Sequence, residues 1–470
     1  MANLNYLKNR DKPIIVYGLG VSGTAVASAL RSAGVPLSVW DDSEEIRSKF
    51  ADEGYRIENP IDQMEQYSTL IPAAGIPPSH AVIQRAKELQ IPILSDIDCL
   101  FHAAPNAHFI GITGTNGKST VTALIAHIFQ SADKAFEMGG NIGRPAAALP
   151  TIEEDGYYIL ELSSYQLAIT PSAIFDTAVC LNITADDHLA WHGTFSNYVA
   201  AKKRIFRPRQ DRETKQTAVL VSDNPANRTI AQDLKLSERH DVIMVSHDPT
   251  NGSDHIAAHN QALFERGEKK TGFKAPALPG PHNEKNIAAA VAVARSAGID
   301  FTVITKAIET FGGLPHRQEL VGRIDQVTFV NDSKATNISA VAPALSAYDS
   351  IHLIAGGKAK AGTHLSDLGH HFDRVKQIYL IGDAAEAFAS DIDGDIPYLI
   401  CGTMEQAVEA AYENARALTR ATKEEQTVLL SPACASFDQY QSFTDRGDHF
   451  KAIVNDISCS SGTKESGQSV

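Results

Sequence analysis

The stretch HFIGITGTNGKSTVTALIAHIF, residues 108–129, decides how the rest of the sequence is interpreted. It contains an apolar strand, a glycine-rich loop and an apolar helix, and the loop ends in Gly117-Lys118-Ser119, as phosphate-binding loops do. The usual loop has a glycine five places before the one that precedes the lysine, whereas Ile112 stands there and glycines occur at 111 and 114. Stacked backbone N–H groups and a helix N-terminus still favour an oligophosphate, so the context predicts a nucleotide loop.

Length and composition limit the function classes. A chain of 470 residues has room for about three domains, and 43% hydrophobic with 21% charged residues is typical of globular proteins. The net charge of -14 disfavours a nucleic-acid partner. Five cysteines without a C-x-x-C pair indicate neither a disulfide framework nor a zinc site, and fit a reducing compartment. With no signal peptide and no membrane span expected, the sequence predicts a cytoplasmic protein.

Strands that alternate with helices along the chain predict an α/β fold with parallel sheets. We predict domains at residues 1–104, 105–313 and 314–458. The polar, Gly- and Ser-rich tail at 459–470 is expected to be disordered.

The first segment contains a second glycine-rich turn. Gly18, Gly20 and Gly23 follow an apolar strand and open a helix, which is the context of a dinucleotide-binding turn, and Asp41-Asp42 ends the next strand. The residues alone leave open a ligand site and a tight strand-to-helix turn without a ligand.

Several polar residues are candidates for metal chemistry. Glu161 ends an apolar strand and is a hard oxygen ligand suited to Mg²⁺, and Ser119 can supply another. Asp186, Asp187, His188 and His192 form either a metal site or a solvated loop. On sequence alone, Lys202 and Lys203 are interpreted as ordinary surface lysines, Asn283 as a helix cap, and Phe443 as a core aromatic.

Taken together, the motifs resemble those of the Mur ligases and folylpolyglutamate synthetases, and the set as a whole resembles the Mur ligase family. They cover nearly the whole chain in one order: GTNGKST (114–120), GGNIG (139–143), ELSSYQL (161–167), NITADDHLAWHG (182–193), GPHNEKN (280–286), GLPHRQE (313–319), NDSKATN (331–337), GGKAK (356–360) and SPACASFDQYQSFTDRG (431–447). The resemblance implies a Rossmann-like N-terminal domain, a central P-loop-type ATPase domain and a Rossmann-like C-terminal domain.

The resemblance also implies an activity: an ATP-dependent ligation in peptidoglycan precursor synthesis. ATP would phosphorylate the carboxylate of UDP-N-acetylmuramoyl-L-alanine, and the amine of D-glutamate would attack the acyl phosphate. ATP and two Mg²⁺ ions are the implied cofactors, and a monomer is expected.

The resemblance assigns site residues one by one. Catalytic roles fall on Lys118, Asn141, His188 and Lys202. The implied metal ligands are Ser119, Glu161, His188 and a carbamylated Lys202. The nucleotide is expected at Gly114, Thr115, Asn116, Gly117, Lys118, Ser119, Thr120, His282, Asn283, Asn286, Arg317, Asp332 and Lys334. The UDP-substrate and D-glutamate are expected at Gly18, Gly20, Val21, Ser22, Gly23, Asp41, Asp42, Gly75, Asn141, Lys334, Thr336, Lys360, Ser436 and Phe443.

The chain departs from the family pattern at three places. It has Ala190 where an acid is common, Asp42-Ser43 where many relatives have Thr-Arg, and PAAGI (72–76) where SPGI is usual. Three alternative functions are a dinucleotide-dependent dehydrogenase, which leaves GTNGKST without a role, a nucleotide switch or motor ATPase, which leaves the third segment unexplained, and a related ligase for another amino acid.

Overall fold

The computed structural model describes residues 1–152, 155–184, 189–208, 214–250, 255–392, 394 and 396–465. Strands and helices alternate through most of this chain. The strands are β1 Ile14–Tyr17, β2 Leu37–Trp40, β3 Thr69–Pro72, β4 His108–Thr113, β5 Phe136–Gly140, β6 Tyr157–Glu161, β7 Thr177–Cys180, β8 Gln216–Val221, β9 His240–Ser246, β10 Ile256–His259, β11 Ala262–Glu265, β12 Glu268–Gly272, β13 Glu319–Ile324, β14 Val327–Asn331, β15 Ile351–Gly356, β16 Val375–Ile381, β17 Tyr398–Gly402 and β18 Gln426–Leu430.

The α-helices connect these strands. They are α1 Val21–Ser32, α2 Glu44–Asp52, α3 Ala81–Glu88, α4 Asp96–Ala103, α5 Lys118–Ser131, α6 Ser164–Ala168, α7 Leu189–His192, α8 Phe195–Lys203, α9 Pro225–Leu236, α10 Pro281–Ser296, α11 Phe301–Thr310, α12 Ile338–Ala347, α13 Ala385–Asp391, α14 Met404–Thr422 and α15 Phe443–Glu465. None of the helices within the described ranges is long and apolar enough to cross a membrane.

The strands form three sheets, one within each predicted segment. The first has the order β2-β1-β3 and is parallel. The second has the order β12-β11-β10-β9-β8-β7-β4-β6-β5, parallel except for the hairpins that add β11 and β12. The third has the order β13-β14-β18-β15-β16-β17, with β13 antiparallel at its edge. This confirms the α/β fold class.

The described chain divides into two compact units. Unit 1 contains Met1–Lys274 and Glu284–Thr310, and unit 2 contains Ala275–Asn283 and Phe311–Val470. The first two sheets share unit 1 because one apolar core includes buried side chains from both. The domain boundaries at 104 and 313 stay predictions.

A buried carboxylate ties the two sheets of unit 1 together. Ser95 caps α4, and Asp98 Oδ2 accepts hydrogen bonds from the Ser95 backbone N and Oγ, both at 2.8 Å. Asp98 Oδ1 accepts from Ser172 N at 2.8 Å, Ser172 Oγ at 2.7 Å and Ala173 N at 2.7 Å. These five hydrogen bonds compensate for the burial of the Asp98 carboxylate, because they replace the hydrogen bonds that it would make with water.

The last helix, α15, extends beyond the start of the polar tail and ends at Glu465. The disorder that the composition predicts for residues 459–470 stays a prediction. A helix that is already nucleated adds residues at little cost, since nucleation is the unfavourable step. Residues 466–470 lie outside the described part of the chain.

A buried histidine lies in the third sheet, near the amino ends of its strands. His352 is 2% exposed, and its Nδ1 lies 2.9 Å from the Tyr379 hydroxyl. Burial lowers the pKa of His352 from 6.5 to about 4, an effect that a side-chain hydrogen bond with Gln426 opposes. The folded chain therefore keeps this imidazole neutral at pH values where the unfolded chain protonates it.

We expect the stability of unit 2 to depend on pH through His352. Protonation of His352 favours the unfolded chain, because its pKa is 6.5 there and about 4 in the folded chain. The contribution of His352 to the free energy of unfolding is therefore full above pH 6.5 and is lost as the pH falls towards 4. Between pH 7.5 and pH 5 the loss amounts to about 2 kcal/mol. Urea unfolding of the wild type and His352→Gln, followed by circular dichroism at both pH values, measures it.

The comparison uses the difference between the two proteins, so that every other titrating group cancels. One such group is Asp332, whose pKa is raised to about 7 by burial and which therefore acts in the opposite direction as the pH falls. An unchanged difference between wild type and His352→Gln at the two pH values would contradict the assignment.

Candidate active site

The glycine-rich loop of 114–117 joins β4 to α5 in the middle of the second sheet. Gly117 has φ +85° and begins α5, a backbone conformation that suits glycine. Lys118 Nζ folds back over the loop and donates to the carbonyl oxygens of Gly114 at 3.0 Å and Thr115 at 2.8 Å. Despite the unusual spacing of its glycines, the segment forms a strand, a loop and a helix that begins with a lysine.

Asn182 holds this loop from the neighbouring strand. The residue follows β7, which pairs with β4. Its carbonyl oxygen accepts from Thr115 N at 2.8 Å, its Oδ1 accepts from Asn116 N at 2.8 Å, and its Nδ2 donates to Asn116 O at 3.1 Å. Sequence analysis missed this role, although the position directly after an apolar strand was a usable signal.

Glu161 lies on the other side of the loop, at the end of β6. The residue is 2% exposed, and its Oε1 accepts from Asn141 Nδ2 at 2.7 Å. Its Oε2 is buried without a hydrogen-bond partner among the described residues. A buried carboxylate oxygen without a donor is costly unless something else satisfies it, and oxygen is the ligand that Mg²⁺ prefers. Glu161 therefore fits the predicted metal role.

Lys202 is buried, so its interpretation as a surface lysine is wrong. The residue is 1% exposed, its Nζ donates to Gly114 O at 2.8 Å, and Nζ lies 4.8 Å from the Tyr198 ring centre. Tyr198 and Lys202 are four residues apart on α8, and both face inward. Lys203 points outward instead and pairs with Asp233 at 2.6 Å, with 43% of its side chain exposed.

Two lysines thus meet at one oxygen. The Nζ atoms of Lys118 and Lys202 lie 3.0 and 2.8 Å from the carbonyl oxygen of Gly114. Two ammonium groups this close repel each other, and burial of Lys202 weakens the screening by water. The arrangement is therefore suited to an anion, or to neutralisation of one lysine.

The predicted second metal ligand cannot be placed. His188, with Asp186 and Asp187, lies outside the described residues. His192 follows four residues after His188 in the sequence. It is buried, and its Nε2 lies 2.9 Å from Ser164 Oγ. In the part of the chain that the structure describes, no group of three or more His, Cys, Asp or Glu side chains could hold a metal ion.

Asn286, the predicted nucleotide residue of unit 1 outside the glycine-rich loop, lies on α10 and close to that loop. A Cβ placed on Gly117 would lie 2.6 Å from Asn286 Oδ1. Ser119 is 3% exposed in the first turn of α5, and Thr120 follows it. The structure therefore brings Asn286 to the glycine-rich loop, as the sequence predicted for a nucleotide site.

In the first sheet, the acids after β2 contact the chain around the glycine turn. Asp41 Oδ2 accepts from Leu19 N at 2.6 Å and Oδ1 accepts from Ser43 N at 2.9 Å. Asp42 Oδ1 accepts from the Tyr17 hydroxyl at 2.6 Å. Gly23 packs so closely that a Cβ there would meet Gly18 O, whereas Gly20 has open space. Asp41 therefore shapes the turn, and a role of Gly18, Gly20, Val21, Ser22 and Gly23 in substrate binding stays a prediction.

Gly75, the remaining substrate residue predicted in unit 1, contacts an aromatic side chain. Its carbonyl oxygen accepts from Trp191 Nε1 at 3.3 Å. Trp191 in turn stacks near Tyr165, with ring centres 4.7 Å apart. These contacts bring the end of the first sheet's segment to α7.

Within unit 2, five of the predicted residues (Asp332, Lys334, Thr336, Lys360 and Ser436) lie on three loops at the carboxyl ends of β14, β15 and β18. We call the loops 332–336, 357–360 and 431–436 the switch-point loops, because β18 lies between β14 and β15 in the sheet. Asp332 accepts from Ser431 Oγ at 2.8 Å, and burial raises its pKa to about 7. Lys334 Nζ lies 5.1 Å from the Phe443 ring centre.

The remaining candidates of unit 2 differ in exposure. Ser436 is 2% exposed, Lys360 is exposed, and Arg317 and Thr336 are half-buried. His282 and Asn283 lie in the first turn of α10, and Asn283 Nδ2 donates to Pro279 O at 2.8 Å, so this bond ties the helix to the preceding segment and is not the oxygen-to-N–H bond of an N-cap. Arg446, which sequence analysis missed, contacts two of the switch-point loops.

Comparison with known proteins agrees with this geometry. Residues 112–294 match the Mur ligase middle domain, and residues 316–434 match the Mur ligase, glutamate ligase domain. Curated proteins named UDP-N-acetylmuramoylalanine–D-glutamate ligase are similar over most of their length. That of Rhodospirillum rubrum is 42% identical over 94% of both chains, and that of Paramagnetospirillum magneticum is 39% identical over 95% of this chain and 96% of its own.

Solved structures of lower identity share the fold. UDP-N-acetylmuramate–alanine ligase from Thermotoga maritima has a TM-score of 0.56 at 17% identity and covers 95% of this chain and 99% of its own. The MurF ligase of the same organism, in complex with ADP, has a TM-score of 0.54 at 16% identity and covers 97% of both chains.

Fold and sites together define a three-sheet α/β protein with a P-loop-type central sheet. The chain belongs to the Mur ligase family of ATP-dependent ligases of peptidoglycan precursor synthesis, in the branch of the UDP-N-acetylmuramoylalanine–D-glutamate ligases. This confirms the resemblance seen in the sequence.

The loop geometry predicts the effect of a methyl group at Gly117. Gly117→Ala places Cβ 2.6 Å from Asn286 Oδ1 at φ +85°, so the loop must shift and its backbone donors must turn away from a phosphate. We expect ADP binding, measured by calorimetry, to weaken at least about tenfold. Gly298→Ala is the matched control, because Gly298 has φ +77° and nothing within 4 Å of its Cβ position. Equal weakening in both variants would contradict a specific effect at the loop.

Proposed function

We propose that this protein adds D-glutamate to UDP-N-acetylmuramoyl-L-alanine at the expense of ATP. The observation that carries the proposal is the convergence on one sheet edge of the glycine-rich loop, Lys118 and Glu161, whose buried Oε2 has no hydrogen-bond partner among the described residues. The names of the relatives supply the two substrates. The proposal includes a monomer in the cytoplasm.

The proposed reaction has two steps. A carboxylate oxygen of the UDP-linked substrate attacks the γ-phosphorus of ATP, an O–P bond forms, and ADP leaves. The amine nitrogen of D-glutamate then attacks the carbonyl carbon, a C–N bond forms, the C–O bond to phosphate breaks, and the nitrogen loses a proton. Phosphorylation is needed because a free carboxylate offers only a poor leaving group.

The side chains divide the work of the first step. Two anions must approach each other, so Lys118 and the loop N–H groups stabilise negative charge on the transferring phosphate. Glu161 and Ser119 would hold Mg²⁺, which would supply further positive charge to offset the repulsion of these anions. Asn141 holds the Glu161 carboxylate through its 2.7 Å hydrogen bond, and so fixes the direction of the second oxygen. In unit 2, Arg317 and Lys334 are proposed for the nucleotide and Lys360 for a carboxylate of D-glutamate.

Carbamylation of Lys202 is part of the proposal. An ammonium is repelled by Lys118 and cannot ligate a metal, whereas a carbamate is an anion with two oxygens. The buried position of Lys202, on the same carbonyl oxygen as Lys118, supports this modification, because it converts a repulsion into an attraction.

An acceptor screen tests the function. We expect phosphate release from ATP and UDP-N-acetylmuramoyl-L-alanine to depend on D-glutamate among a panel of amino acids, and Lys118→Ala to lose more than about a hundredfold of turnover while the circular dichroism spectrum is kept. Release without any amino acid would favour a simple ATPase, and dependence on another amino acid would select a different ligase. Near-normal turnover of folded Lys118→Ala would exclude the loop as the catalytic site.

The two adjacent lysines provide a matched test of carbamylation. Lys202→Arg should lose most activity in the presence of Mg²⁺ and bicarbonate, because a guanidinium cannot form the carbamate. Lys203→Arg should stay near the wild type, since Lys203 is exposed and its ion pair with Asp233 suits an arginine equally well. Mass spectrometry of the native protein should show the added carbon dioxide in wild type and Lys203→Arg only. Wild-type activity of Lys202→Arg would end this part of the proposal.

A further inference from the structure

The buried guanidinium of Arg446 lies among the switch-point loops and has no hydrogen bond to an acidic side chain of the described chain. Arg446 is 1% exposed in the first turn of α15. Its Nε donates to Ser333 Oγ at 3.0 Å, and its Nη2 donates to Ser333 O at 2.8 Å and to Cys434 O at 3.1 Å. Each of these acceptors is neutral.

The position is unfavourable for a cation in two ways. Burial removes the guanidinium from water, and the first turn of a helix carries the positive end of the helix dipole. Burial lowers the pKa of Arg446 to about 10, which leaves it charged at neutral pH, and Asp438 favours the charged form without accepting a hydrogen bond from it. A packing role alone would be filled at lower cost by an apolar side chain.

This side chain lies against all three loops. Arg446 joins Ser333, between Asp332 and Lys334, to Cys434, two residues before Ser436. It also borders the third loop, since a Cβ placed on Gly357 would lie 3.1 Å from Arg446 Nη1. Ser333 Oγ donates in turn to Phe443 O at 2.8 Å, which ties α15 to the first loop.

The backbone completes the junction between the other two loops. Gly356 N donates to Pro432 O at 2.9 Å and Lys358 N donates to Ala435 O at 2.8 Å. These bonds join the loop of Lys360 to the loop of Ser436. The loop of Lys334 and Thr336 is joined to the loop of Ser436 by the Asp332–Ser431 hydrogen bond and, one residue further along, by Arg446. Loss of the guanidinium would therefore loosen residues 333–336 against the other two loops, which would stay joined to the first loop at Asp332.

We propose that Arg446 is a positioning residue for the amino-acid acceptor: it holds the switch-point loops in register and adds positive potential for an acceptor with two carboxylates. Its Nη1 is buried without a hydrogen-bond partner among the described residues, so this part of the guanidinium has donors that a ligand could use. In a buried environment such a charge acts on an anion a few ångströms away more strongly than it would in water. The inference rests on the proposed ligase function and names the substrate whose binding depends on Arg446.

The test separates acceptor binding from phosphorylation of the first substrate. Arg446→Lys keeps the charge but loses the planar set of donors that spans two loops. We expect the KM for the acceptor amino acid chosen by the screen above to rise roughly tenfold at saturating ATP, with the KM for the UDP-substrate unchanged. A smaller rise in the KM for ATP is expected, because Lys334 lies on the loosened loop. Trapping of the acyl phosphate with hydroxylamine, measured without acceptor, should stay at the wild-type rate.

Two further variants keep the test interpretable. Arg323→Met is the control for loss of an arginine in unit 2, because Arg323 lies at the sheet edge, 51% exposed, in an ion pair with Glu425. Ser333→Ala removes only the hydroxyl between Arg446 and Phe443, and we expect a smaller rise in the same KM if Arg446→Lys does not fold. An unchanged acceptor KM in folded Arg446→Lys or Ser333→Ala, or an equal loss of hydroxamate formation, would overturn the inference. A wild type that forms no hydroxamate would instead refute the proposed function.

Discussion

Parallel pairing of β4 between β6 and β7 is the constraint on which the central site depends. Because the three strands run in the same direction, their carboxyl ends share one edge, and whatever follows them meets there. The glycine-rich loop follows β4, Glu161 ends β6, and Asn182 follows β7. The sheet order reverses at β4, with β6 and β5 on one side and β7 and β8 on the other, so the loops diverge and leave room for a ligand.

Buried ionisable side chains are the common property of the sites in both units. In unit 1 the loop brings two lysines to one carbonyl oxygen, and Glu161 Oε2 has no hydrogen-bond partner among the described residues. In unit 2 Arg446 donates to neutral oxygens of Ser333 and Cys434, and burial raises the pKa of Asp332 to about 7. Removal of such groups from water costs folding free energy. Ligands that carry phosphates, carboxylates and metal ions are the chemistry that would balance them.

Local sequence patterns predict the fold class and much of the site. Apolar strands followed by glycine-rich turns predict β1 and β4, and the order of motifs indicates the family. The same patterns do not predict strands β10, β11 and β12, because their short, partly charged sequences have no clear alternation. They also do not predict that α15 extends to Glu465, since the helical state of a segment depends on the helix that precedes it.

The sequence by itself determined the strand–loop–helix at 108–131, the residue types at each strand end and the family. Only the tertiary structure decided which of these residues meet. Lys202 and Lys203 are adjacent in sequence and chemically identical, yet the packing of α8 buries Lys202 at the glycine-rich loop and exposes Lys203. Asn182 and Arg446 likewise act on residues 66 and 113 positions away, at Asn116 and Ser333. No local pattern contains such pairs, because strand order and helix packing place them together only in the folded chain.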